Sequence, residues 1–226
     1  MKKHECIIIF AKAPIKGHVK TRLAKNISGS DIVNLYRQFV LDLLIKTEKT
    51  GLPVKIFYDP PGAQPLMTDW LGNRHDFFSQ NGPDLGQKMA NAFLNMFKQG
   101  IGRAILIGTD FPDLPDRILT DAMLRLENHG AVIGPTVDGG YYLIGFREDS
   151  FLPSVFTDIP WGTPDVYKKT MSILKASGTV VYPLPKWRDI DDYDDLMAFI
   201  ESLKKTPSDA KNTYSFLESI GMIKND

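Results

Sequence analysis

The chain has 226 residues, 27 Lys and Arg against 27 Asp and Glu, 43% hydrophobic residues and one cysteine. That length carries one large α/β domain or two small ones with a sizeable core. The neutral balance, without a basic stripe, argues against nucleic acid as a partner. No apolar run nears the ~20 residues of a membrane span, and the lone Cys6 excludes internal disulfides and fits a reducing compartment. Met1-Lys2-Lys3 has the look of a signal-peptide start, but Lys12 interrupts the short apolar run that follows and no small-residue cleavage site comes after it. The reading is therefore cytoplasmic.

Residues 6–11 form a continuous apolar run, as in a strand buried on both faces, with Cys6 as a small core residue. A loop bent by Pro14 and Gly17 follows, carrying Lys12, Lys16, Lys20 and Arg22. Cations just past a first strand are placed to hold phosphates, Arg22 in a bidentate manner. By spacing alone, a solvated helix-start turn is an equal reading. Ile32, Leu35, Tyr36, Phe39, Val40, Leu43 and Leu44 then share one helical face. Residues 53–58 read as a strand, 65–71 as a short helix and 76–79 as a weak strand. Leu85, Met89, Phe93, Met96 and Phe97 mark an amphipathic helix. A strand over 103–107, a helix over 118–126 and strands over 131–134 and 141–146 come next. A helix over 164–174, a strand over 179–182 and a helix over 193–203 complete the pattern, with a tail helix around 214–220. Strand–helix alternation predicts a mainly parallel sheet covered on both faces. The Asp138-Gly139-Gly140 turn joins its two strands too closely for a helical crossover, so an antiparallel element falls late in the sheet.

In open α/β sheets the ligand lies at the carboxyl ends of the strands. Asp110 leaves the tip of the 103–107 strand, where a carboxylate suits Mg²⁺ or Mn²⁺. Asp113 precedes a helix and reads as its N-cap. Asp138 sits in a turn-forming sequence whose paired glycines also let a backbone approach a ligand. As a site residue it would accept a proton from a hydroxyl. Asp189 and Asp191 cap the next helix or reach the cation held by Asp110. The histidines His4, His18, His75 and His129 are scattered and form no triad. Phe77, Phe78, Trp161 and Trp187 are core residues or stacking platforms for a base or sugar.

Taken in order, these segments resemble a known family. Phe10-Ala11-Lys12-Ala13-Pro14, Gly17-His18-Val19-Lys20-Thr21-Arg22-Leu23, Asp84-Leu85-Gly86, Gly108-Thr109-Asp110-Phe111-Pro112-Asp113-Leu114, Asp138-Gly139-Gly140-Tyr141-Tyr142-Leu143 and Asp189-Ile190-Asp191 resemble the bacterial radical-SAM/selenodomain-associated transferase family, type 1. The resemblance covers roughly residues 7–196. It implies a three-layer α/β/α GT-A (Rossmann-like) nucleotide-diphospho-sugar transferase fold over residues 1–205. Residues 206–226 would then be a helical tail packed on that domain or on a second subunit of a homodimer. The resemblance also implies nucleotide or diphosphate contacts for Lys12, Lys20, Arg22, Asp84, Gly86 and Thr109. Asp110 would stand where such folds carry the metal-binding acid of an Asp-x-Asp motif. Thr109-Asp110-Phe111 has one acid where that motif has two, and Asp189 or Asp191 would supply the second. Gly139, Gly140, Tyr141 and Trp161 would border the acceptor. The same residues are similar to the phospholactate guanylyltransferase group, through its Lys-Ser/Thr-Arg-Leu and Asp-Gly-Gly segments.

Three functions follow in order of preference. The first is a glycosyltransferase dependent on Mg²⁺ or Mn²⁺, using a nucleotide-diphospho-sugar donor, with Asp138 as base. The second is a nucleotidyltransferase that releases pyrophosphate from a nucleoside triphosphate. The third is a non-catalytic nucleotide-binding module.

Overall fold

A single seven-stranded sheet organises the computed structural model, which describes residues 4–223. Its strands are β1 (His4–Lys12), β2 (Val54–Asp59), β3 (Asp76–Ser79), β4 (Ile101–Ile107), β5 (Ala131–Pro135), β6 (Tyr141–Arg147) and β7 (Val181–Pro183). Their order across the sheet is β3-β2-β1-β4-β6-β5-β7. All neighbours are parallel except the pairings of β6 with β4 and β5. The late antiparallel strand therefore lies inside the sheet and not at its edge.

The apolar run of β1 follows from this central position. Ile7, Ile9 and Ala11 enter the core on one face, Cys6 and Ile8 the core on the other, and all five are essentially inaccessible. Burial pushes the Cys6 thiol up to about 12, which keeps it protonated and inert. On the first face lie α1 (Gly29–Lys49), α2 (Gln64–Leu71), α4 (Asp116–Arg125), α6 (Tyr193–Leu203) and α7 (Lys211–Ser219). On the second lie α3 (Leu85–Lys98) and α5 (Val166–Ala176). The result is a three-layer α/β/α architecture.

Helix starts follow local chemistry. The Ser28 hydroxyl accepts from the Asp31 amide at 3.2 Å at the start of α1. A reciprocal capping box of Asp192 and Asp195 opens α6. The expected cap at Asp113 is corrected: α4 begins three residues later behind Pro115, and Asp113 instead accepts from Trp187 Nε1 at 3.0 Å. The tail helix α7 lies on α1 of its own chain. The buried Asp42 carboxylate receives the Asn212 amide (3.0 Å), Asn212 Nδ2 (2.9 Å), the Thr213 amide (2.8 Å) and the Thr213 hydroxyl (2.7 Å). A side chain of α1 thus satisfies the first-turn donors that α7 cannot pair internally. Among the described residues no helix is long and apolar enough to cross a membrane.

Candidate functional site

A cavity of about 690 Å³ opens at the carboxyl ends of β1 and β4 and beside the start of β6. Lys12, Gln80, Pro83, Leu85 and Lys88 line it, as do Asp138, Gly140, Tyr141 and Trp161. Thr109 and Asp110 also line it, with Asp189 and Asp191. The antiparallel β6 brings the 136–140 hairpin to this end, because β5 arrives there and β6 departs from it.

The basic loop is built differently from its sequence reading. Lys20 is a buried residue in the left-handed region, at φ 45° and ψ 42°. Its ammonium bonds Asp110 Oδ1 at 2.6 Å and the Ile190 carbonyl, and lies 6.0 Å from the centre of the Phe39 ring. Lys20 is therefore the counter-ion of Asp110 in this structure, and not the open phosphate ligand expected. Arg22 is 71% exposed, pairs with Asp191 and lies outside the cavity lining, at the rim. Lys88 is held by Asp59 at 2.7 Å. Among the described residues, the cavity-lining cation without a carboxylate partner is Lys12, whose ammonium lies 3.4 Å from the His18 carbonyl. The Lys12 amide and the Thr109 hydroxyl both donate to the Tyr36 phenol oxygen, at 2.8 and 3.3 Å. Burial holds the Tyr36 phenol well above its ordinary range, so it stays neutral.

The acids face the opposite problem. Asp189 is pushed up to about 6, first by burial and then by the charge of Asp138, with Asp195 and Asp110 adding to it. Asp138 Oδ1 accepts the Thr136 hydroxyl and the Gly140 amide (3.1 Å), which is the bonding of an Asx turn. Asp191 spends its carboxylate on Arg22. Among the described residues no three His, Cys, Asp or Glu side chains converge into a cage for a metal. Mg²⁺ ordinarily takes only one or two protein carboxylates and completes its shell with water and substrate phosphates. Asp110 and Asp189, mutually repelling at one end of the sheet, fit that demand.

Several expected residues shape the walls from behind. Asp84 caps α3 by accepting the Gln87 amide at 2.8 Å, and it lines the cavity. Gly86 does not line it. A Cβ there would collide with the Phe156 carbonyl and stand 3.1 Å from two atoms of the Trp161 indole. Gly139 also lies outside the lining; at φ +97° it lets the backbone of Pro164 come close. Tyr141 and Trp161 meet edge to face at 6.2 Å. Of the four candidate stacking residues, Trp161 alone lines the cavity: Phe78 stacks on Phe57 at 5.0 Å, Phe77 packs on the core, and Trp187 is turned to Asp113. Gln80, Lys88 and Tyr36 also line the cavity, beyond the residues to which the sequence points. Gln80 is buried, and its amide nitrogen bonds the Phe57 carbonyl at 2.9 Å. The available signal was its position directly after a strand.

The family model described as "Uncharacterized protein conserved in bacteria (DUF2064)" matches residues 44–163. A crystal structure from Desulfovibrio desulfuricans G20, described as a candidate nucleotide-diphospho-sugar transferase, is 39% identical over 95% of this chain and 94% of its own, with a TM-score of 0.91. The 4-diphosphocytidyl-2C-methyl-D-erythritol synthase of Anaerococcus prevotii DSM 20548 is 10% identical over 88% of this chain and 99% of its own, at a TM-score of 0.59. A CMP:2-keto-3-deoxy-manno-octonic acid synthetase complexed with CTP is 10% identical over 90% and 99%, at 0.55. These last two establish likeness of fold alone. No curated protein matches the chain.

Proposed function

We propose that the chain, which belongs to the DUF2064 family, is a cytoplasmic transferase that moves a sugar from a nucleotide-diphospho-sugar to an acceptor hydroxyl. Within that family we place it with the radical-SAM/selenodomain-associated transferases. The observation that carries the proposal is one cavity lined both by Lys12, a cation without a carboxylate partner, and by the acids Asp110 and Asp189. Lys12 holds the diphosphate as a point charge. Asp110 and Asp189 would hold Mg²⁺ or Mn²⁺, which supplies charge stabilisation for the departing diphosphate. Trp161 and Tyr141 line the cavity and give an acceptor an aromatic surface to lie on. Asp138 takes the acceptor proton on Oδ2, because Oδ1 is already engaged twice.

That same engagement favours one second reading. Asp138 Oδ1 is already committed to holding its own turn, so a single oxygen of the carboxylate is left for an acceptor proton. An anionic phosphate attacking a nucleoside triphosphate needs no base, so nucleotidyl transfer makes no demand on Asp138. The deciding experiment offers the purified protein Mg²⁺ or Mn²⁺ with nucleotide-sugars and, separately, with nucleoside triphosphates and phosphorylated acceptors. Release of a nucleoside diphosphate supports sugar transfer, and release of pyrophosphate supports nucleotidyl transfer. Metal-dependent nucleotide binding without turnover marks a non-catalytic module. Asp110→Asn, which leaves Lys20 an acceptor, should lose metal-dependent nucleotide binding while staying folded; unchanged affinity in Mn²⁺ refutes the role given to Asp110.

A further inference from the structure

The pairing of Lys20 with Asp110 is a feature that the proposed function leaves without a role. We infer that Lys20 occupies Asp110 in the empty protein and bars a divalent cation until nucleotide phosphates arrive, so that cation and nucleotide load together. The inference rests on the reading of Asp110 as a cation ligand.

The geometry carries it. The Lys20 ammonium is 2.6 Å from Asp110 Oδ1, and its side chain is 3% exposed against 41% for Asp110. It cannot swing into solvent, because the Ile190 carbonyl fixes it from a second direction. The Ile190 amide in turn bonds the Asp110 carbonyl at 3.2 Å, so one loop braces both partners. The backbone of Lys20 sits in the left-handed region, which a non-glycine residue occupies only when its surroundings over-determine it. Val19 and Leu23, both buried, anchor the chain on either side.

A divalent cation approaching Asp110 alone therefore meets a carboxylate that is already neutralised and a fixed positive charge beside it. A phosphate changes both conditions. It accepts a hydrogen bond from the ammonium, and it supplies the negative charge that a second cation requires. Each ligand then raises the affinity for the other, as linkage demands.

The test measures Mn²⁺ binding by electron paramagnetic resonance in wild type, Lys20→Met and Lys20→Gln. Circular dichroism checks each fold, and GDP, UDP, CDP and ADP are each tried as the added nucleotide. Lys20→Met removes the charge at similar length, and Lys20→Gln keeps a donor for the Ile190 carbonyl. The expected result is that the empty variants bind Mn²⁺ about tenfold more tightly than the empty wild type, with the gain from added nucleotide reduced by the same factor. Equal Mn²⁺ affinity in the empty wild type and the variants overturns the inference while leaving the cation site standing. Micromolar Mn²⁺ binding by the empty wild type overturns it without any variant. Absence of Mn²⁺ binding in every protein, with every nucleotide, removes the cation site itself and the inference with it.

Discussion

Gly86→Ala sets two effects against each other, and the structure decides the sign. Gly86 is the second residue of α3, where alanine is the better helix former by about 1 kcal/mol. The added Cβ would lie well inside 3.0 Å of the Phe156 carbonyl, a backbone atom that cannot rotate away. It would also press on the Trp161 indole at 3.1 Å, tighter than most real contacts. Overpacking costs roughly 1–3 kcal/mol, and a backbone obstacle argues for the upper end. The net is a loss of about 1–2 kcal/mol, or a fall in melting temperature of roughly 3–6 °C for a chain of this size. Thermal unfolding by circular dichroism reads the stability, and calorimetric binding of a nucleoside diphosphate reads the cavity, whose lining must shift with Trp161. A variant that melts above wild type would show that helix propensity wins and that the packing argument is wrong.

Asp42→Ala strands the two first-turn amides of α7 and costs about 3 kcal/mol, since bonds to a charged acceptor are worth ~1.5 kcal/mol or more each and do not add fully. Hydrogen exchange should show α7 losing protection first, and full protection at wild-type stability contradicts the assignment. Asp189 binds a proton more tightly in the folded chain, at about 6 against an ordinary 3.8. Folding stability is therefore lost as pH rises through that window. After discounting for solvent screening, Asp189→Asn should gain about 1 kcal/mol over wild type at pH 8 and nothing at pH 3, read by urea unfolding; a gain independent of pH removes the carboxylate as its cause.

Much of the fold was legible because burial on both faces leaves an unmistakable mark. The apolar run of β1 and the single-faced helices α1 and α3 follow directly from it. The interior place of β6 was not legible. Its partner β4 is not its neighbour along the chain, and periodicity within a strand carries no record of which strand lies beside it. In the site, the acids at strand exits were found because strand tips are where ligands bind. The burial of Lys20 was hidden, since a lysine in a loop rich in Pro and Gly reads as solvated until Val19 and Leu23 are seen to pull it inward. Asp113 was misread for a related reason: its indole partner is 74 residues distant, and local capping rules see only the next turn. Asp42 went unnoticed because its bonding partners lie in α7, about 170 residues further along the chain.

The reversed strand has a consequence for how such a protein diversifies. The parallel strands β1 and β4 lead into Lys12 and Asp110 at the cavity, while the turn between β5 and β6 brings Asp138 and Gly140 to it. The hairpin feeding β6 is held by its own bonds to Trp187 and Tyr167, so the exposed Val137 at its tip can change without shifting the register of β1 on β2 or β4. Selection can thus retune the tip of one hairpin while Lys12 and Asp110, on strands paired elsewhere, keep their places.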